Sequence, residues 1–206
     1  MNLEYIGQQI VNGLILGSMY AMVAIGFSMI YGIIRLINFA HGDVVMIGAF
    51  LTLGLLQAAG APLPLVALVV LAAGAVIGIL IEKAAFRPMR GAPQVTGFIA
   101  SLAVSIMLQN LGILFLTAQP RNFAFPDYLQ KVIHIGGVSF RMVDIVIMLS
   151  ALSLMCALML LVKKTRMGMA MRATAENIDV ARLMGININR TIMATFAVGS
   201  ALAGIA

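Results

Sequence analysis

Apolar positions along the chain gather into long charge-free runs separated by short polar segments. The runs cover roughly 6–34, 44–59, 63–81, 95–118 and 145–162, and a last one opens at Thr191. A helix needs about 20 residues to cross roughly 30 Å of bilayer hydrocarbon. The first and fourth runs meet that length alone. The third and fifth draw on their flanks, and the second borrows from the residues before Asp43. The pattern predicts an all-α fold, a polytopic transmembrane helix bundle of about five complete spans plus the start of a sixth. From Thr191 to Ala206 a helix rises only about 24 Å, so the sequence reads as a fragment that stops inside a span. On this reading, 1–206 is a single transmembrane domain, incomplete at its C-terminus.

Composition sharpens the class. Hydrophobic residues make up 62% of the 206 and charged residues 10%, with a mean hydropathy of +1.08. Soluble domains carry about 25% charged residues. The net charge of +6 would raise nucleic acid as a partner in a soluble protein, but here the basic residues sit between apolar runs, where a membrane surface accounts for them. Tryptophan is absent and the other aromatics are scattered, so there is no base-stacking platform. The single cysteine, Cys156, excludes an internal disulfide and a cysteine-based metal cluster, and reads as a small buried hydrophobe. Met1–Tyr5 contains no Lys or Arg, so the first run reads as a span rather than a signal peptide.

The positive-inside rule sets orientation. Segment 82–94 holds Lys83, Arg87 and Arg90. Segment 163–190 holds Lys163, Lys164, Arg166, Arg172, Arg182 and Arg190. Both are expected in the cytoplasm, with 119–144 outside. Counting back puts Arg35 inside and the N-terminus outside. Within 119–144, Val132–Ile135 and Val138–Phe140 around Gly136-Gly137 predict a small hairpin, with a plain loop as the alternative.

Several constellations are candidates for function. Gly13, Gly17, Ala21, Ala24, Ser28 and Gly32 keep one face of the first span, and Gly74 and Gly78 repeat the spacing; small residues of this kind bring helices close. Asn38, His41, Gly42 and Asp43 stand where an apolar run begins. Polar groups at membrane depth tend to line a wet path, and Gly42 is placed to break the helix. Alternatively, Asp43 caps a helix starting at Val44. Gly97, Ser101, Ser105, Gln109 and Gly112 form a polar stripe with Asn110 beside it, which would line a path or hydrogen-bond a neighbouring helix. From Ala170 to Met184 the pattern predicts one amphipathic helix stopped by Gly185. Arg172, Glu176, Asp179 and Arg182 share one face, and Thr174, Ile178, Ala181 and Met184 the other. Its mixed-sign charge favours docking to a cytoplasmic partner over lying on lipid. No catalytic or metal-binding signature is present, and an intramembrane enzyme built on Ser28 and His41 has no motif behind it.

The stretch Gly13–Gly26, the segment Ile37-Asn38-Phe39-Ala40-His41-Gly42-Asp43, and Arg172–Asn177 continuing through Ala181–Ile186 together resemble the branched-chain amino-acid ABC-importer permeases, of the H-type subunit. The resemblance covers essentially the whole chain. It implies a bacterial inner-membrane, multi-pass transport subunit without catalytic residues or cofactor. Its expected partners are a second homologous permease, two cytoplasmic ATPase subunits and a periplasmic binding protein that delivers leucine, isoleucine or valine. Members of this family continue further, with spans after the loop. Segment 163–190 would be the coupling loop, with Arg172, Ala175, Glu176, Asp179, Arg182 and Gly185 facing the ATPases. The path would draw on Asn38, His41, Gly42, Asp43, Ser101, Ser105 and Gln109. Amide and urea permeases share the pattern. A secondary carrier without ATPases remains as an alternative and would need His41 and Asp43 as a charge relay.

Overall fold

The computed structural model describes residues 3–57, 60–116, 127–135 and 137–206. The long apolar runs become helices: α1 (Leu3–Ile34), α2 (His41–Gln57), α3 (Leu63–Ile81), α4 (Gln94–Leu116), α6 (Met142–Lys164) and α9 (Ile188–Ile205). A short helix α5 (Asp127–Gln130) and strands β1 (Val132–Ile135) and β2 (Val138–Arg141) precede α6, and α7 (Arg166–Glu176) and α8 (Ile178–Leu183) follow it. All the long helices except α2 are long and apolar enough to span a bilayer. The chain is thus an all-α, multi-pass membrane bundle.

The helix that sequence alone left as the beginning of a span lies at the centre. In α9, 56% of residues are buried, against 11% in the apolar stretches of α4 and α6. It starts at Ile188, not Thr191, capped by the Asn187 side chain accepting from Arg190 N at 3.1 Å. Helices α1, α2 and α3 close around it through glycines. A Cβ on Gly26 would meet the Gly199 carbonyl at 2.6 Å, one on Gly48 the Gly204 carbonyl at 1.9 Å, and one on Gly78 the Phe196 carbonyl at 2.4 Å. Backbones that approach this closely leave no room for side chains, which is how membrane helices associate where water supplies no drive. Phe196, fully buried, packs against Phe86 with ring centroids 5.0 Å apart and planes tilted by 51°.

The expectation for Gly74 and Gly78 therefore holds, while that for α1 is corrected. Gly13, Gly17, Ala24, Ser28 and Gly32 are exposed, and the buried face of α1 carries Met22, Gly26, Ile30 and Ile33 instead. Cys156 is also exposed, on the outward face of α6, rather than buried.

One end of the bundle gathers Arg35, the loop after α3, and α7–α8. The other carries the N-terminal turn of α1 with the hairpin. β1 and β2 pair antiparallel with Ile135 opposite Val138, as the two-glycine spacing predicts. Gln8 of α1 extends this sheet: its Nε2 donates to Ser139 O at 3.0 Å and its Oε1 accepts from Ser139 N at 2.8 Å. Residues 119–126 and 136 of the predicted outer segment lie outside the described residues.

Candidate functional site

The crossing between α1 and α3 is not one helix. Arg35 follows α1 in the left-handed region at φ 53 and turns the chain back along the bundle. A side chain there carries about 1–2 kcal/mol of strain. Leu36 then lies over Gly97, and Ser101 Oγ donates to the Ile37 carbonyl at 3.1 Å. At His41, where α2 begins, the ring meets the Val23 carbonyl at 3.2 Å. Val23 stands about 16 Å along α1 from Ile34. The chain thus runs without helix to membrane depth before α2 starts, through a turn in which His41 N donates to the Asn38 carbonyl at 3.2 Å. The break falls at 35–40, ahead of Gly42, which sits inside the first turn of α2. Irregular backbone at this depth is tolerated only where protein buries it or a cavity adjoins it. Both conditions are met, since Asn38 and Ala40 are buried and a groove of about 520 Å³ opens beside them.

His41 and Asp43 belong to different sides of this crossing. Two residues apart on a helix, they point about 200° from one another. His41 faces α1. Asp43 faces α4, where its Oδ1 accepts from Gln109 Nε2 at 3.1 Å, and Gln109 in turn donates to Ser105 Oγ at 3.1 Å. Asp43 therefore does not cap a helix starting at Val44; it ties α2 to α4 from within the first turn, where its charge also suits the helix dipole. The whole polar stripe of α4 serves this contact: Gly97 under Leu36, Ser101 on Ile37, Gln109 on Asp43 with Ser105 behind it, and Gly112 against Met46. Asn110 points elsewhere and donates to Ile106 O at 2.7 Å.

The groove lies on the opposite side, against α1. Val23, Ala24, Phe27 and Ser28 form one wall, and Ile37, Asn38, Phe39, His41 and Gly42 the other. Both amide atoms of Asn38 and Nδ1 of His41 are buried without a hydrogen-bond partner. The Val23 carbonyl can only accept, so His41 Nε2 carries the donating hydrogen; in the neutral tautomer with that hydrogen, Nδ1 is a lone-pair acceptor. Of the residues named for a path, Asn38, His41 and Gly42 meet here; Asp43, Ser101, Ser105 and Gln109 do not.

At the basic end, α3 passes through one π-helical turn (Glu82–Phe86) that buries Glu82. Arg90 folds back to pair with Glu82 and reaches the Asn189 side chain, locking this loop to the start of α9. Burial pulls the Arg90 guanidinium below its ordinary pKa, and the Glu82 charge pulls it back.

Beside that lock, the predicted single helix 170–184 is two. Asn177 leaves the helical region and caps α8, its Oδ1 accepting from Asp179 N at 2.9 Å and Val180 N at 3.1 Å. Gly185, at φ 80, ends α8 as expected. Arg172, Glu176, Asp179 and Arg182 are exposed, with Asp179 and Arg182 3.9 Å apart, and Ala175 is half-buried. Thr174 and Ala181 pack inward, but Met184 does not: it is 78% exposed, next to Leu183 at 86% and near Val180. This apolar tip escaped the sequence reading because a continuous helix turns Met184 inward. The Glu82 lock escaped it too; Glu82 is the only acid in a basic loop, and that contrast was the available signal.

The chain matches the family described as branched-chain amino acid transport system / permease component over residues 9–206. It is similar to the high-affinity branched-chain amino acid transport system permease protein BraD of Pseudomonas aeruginosa, 40% identical over 97% of this chain and 68% of that protein. It is also similar to the corresponding LivH proteins of Salmonella typhimurium and Escherichia coli, each 37% identical over 98% of this chain and 69% of theirs. A probable LivH permease of Methanocaldococcus jannaschii is 28% identical over 99% of the chain. No solved structure matches it.

Proposed function

Because the chain belongs to the branched-chain amino acid transport permease family, we propose that it is a membrane-spanning subunit of an ATP-driven importer for branched-chain amino acids in the bacterial inner membrane. It acts beside a second homologous permease, receives substrate from a periplasmic binding protein, and is driven by two cytoplasmic ATPase subunits. The chain is one permease domain whose 163–190 segment is the coupling element. The basic end, with Arg35, 82–94 and 163–190, faces the cytoplasm.

The observation that carries coupling is the apolar tip of α8. Leu183 and Met184 stand exposed at the end of capped helix α8, whose inner face packs inward through Ala181, as α7 does through Thr174. A hydrophobic knob on the helix that also exposes Asp179 and Arg182 fits a pocket on a soluble partner. Force on it passes through α7 and α8 to α9 and to the 35–40 break, since Arg35 and Ala175–Ile178 line a shared cleft. On the path side, Asn38, His41 and Gly42 line the route, while Asp43, Ser101, Ser105 and Gln109 hold its wall in place. A carrier without ATPases would need His41 and Asp43 to relay charge, and their opposite orientations on α2 argue against that.

Leu183→Asp tests the reading. The side chain lies in solvent, so insertion and expression stay unchanged. The ATPase subunits are expected to be lost on purification in mild detergent, and ATP-driven leucine uptake to fall with them. Full retention of both overturns the coupling assignment.

A further inference from the structure

Under the groove beside the break lie three buried polar atoms without partners, and no Asp, Glu, Lys or Arg lines it. Val23, Phe27, Ile37 and Phe39 supply apolar wall, and Tyr20 and Ser28 add two hydroxyl-bearing side chains. Buried polar atoms without partners are costly, and natural structures keep them where a ligand or water completes them. Asn38 offers one donor group, Nδ2, and one acceptor, Oδ1; His41 Nδ1 adds a second acceptor. A zwitterionic amino acid presents the complement: an ammonium that donates and a carboxylate that accepts. A formal charge beyond the zwitterion would find no counter-charge here and would be desolvated without compensation.

We propose that this groove is a transient site for the head group of a neutral amino acid. Asn38 Nδ2 donates to its carboxylate, Asn38 Oδ1 and His41 Nδ1 accept from its ammonium, and the side chain lies on Phe27 and Ile37. The inference rests on the transport reading and deepens it by making the permease itself selective for neutral solutes. In this state the polar atoms form the covered floor of the groove. Segment 35–40 is pinned by side-chain bonds from Ser101 and His41 rather than by a helical ladder, so a shift of this segment would uncover them.

The test uses the complete transporter carrying Cys156→Ser and Ser28→Cys. Ser28 lines the groove, and its replacement leaves Asn38 and His41 intact. Alkylation of the introduced thiol by N-ethylmaleimide is followed with and without free leucine, lysine or glutamate. Leucine is expected to slow alkylation severalfold, lysine and glutamate to leave it unchanged, and added Asn38→Leu to abolish the protection. Equal rates with and without leucine overturn the site, as expected if only water occupies it. Equal protection by lysine overturns its selectivity. Protection by leucine in a preparation without ATP-driven uptake upholds the site and counts against the transport reading instead, so the two fail separately.

Discussion

Gln109 of α4 donates its amide hydrogen to the Asp43 carboxylate of α2 at 3.1 Å, and the other carboxylate oxygen has no partner. This bond is the polar centre of an otherwise apolar seam. It gives a carboxylate at membrane depth a partner, and it fastens the helix that follows the break to α4.

Gln109→Glu should therefore set two carboxyl groups against each other and lower the thermal midpoint in detergent. An unmet buried acceptor costs about 1–3 kcal/mol. Adding Asp43→Asn restores a donor–acceptor pair with the roles reversed, and should recover most of the loss. If the double variant is no more stable than Gln109→Glu alone, the seam is not held by this contact.

The bounds of α1, α3, α4 and α6 could be read from hydropathy because lipid-facing helices are apolar nearly all round. The break at 35–40 could not. Leu36, Ile37, Phe39 and Ala40 are apolar and carry no breaker, and the turn that starts it is an Arg at positive φ, a position that local preference gives to glycine. Gly42 signalled a break nearby but at the wrong residue. The second break, at Asn177, lay in view as a capping residue type, and the 100° periodicity ran through it. On α1 the four-residue stripe pointed to the wrong face. The decisive glycine, Gly26, is off that stripe and has meaning only through Gly199, far along the chain.

Gly48→Ala is expected to be poorly tolerated. Its Cβ would fall 1.9 Å from the Gly204 carbonyl oxygen, with backbone atoms on both sides of the contact, so the helices must separate. Overpacking costs about 1–3 kcal/mol where neighbours can adjust, and backbone adjusts least. Gly54→Ala, with nothing within 4 Å, should be neutral or slightly stabilising. Thermal midpoints of the two variants provide the comparison, and equal values would contradict the α2–α9 packing described.

The Glu82–Arg90 pair should behave asymmetrically. Glu82 is 1% exposed and Arg90 27%. Removing either partner of a buried pair costs about 3–5 kcal/mol. Glu82→Gln leaves a guanidinium that can turn to water and stays near the low end of that range. Arg90→Leu leaves a carboxylate with no access to water and should destabilise more. The order of the two midpoints checks this, and the reverse order would place the charge imbalance on the arginine.

The central position of α9 has a consequence for how the protein is made. Synthesis releases α1, α2 and α3 into the membrane well before Ile188–Ile205 leaves the ribosome. Until then Gly26, Gly48, Gly74 and Gly78 flank a vacant slot. The keystone of the bundle thus arrives after the three helices it joins, and these wait in lipid, unassembled, for the segment that brings them together.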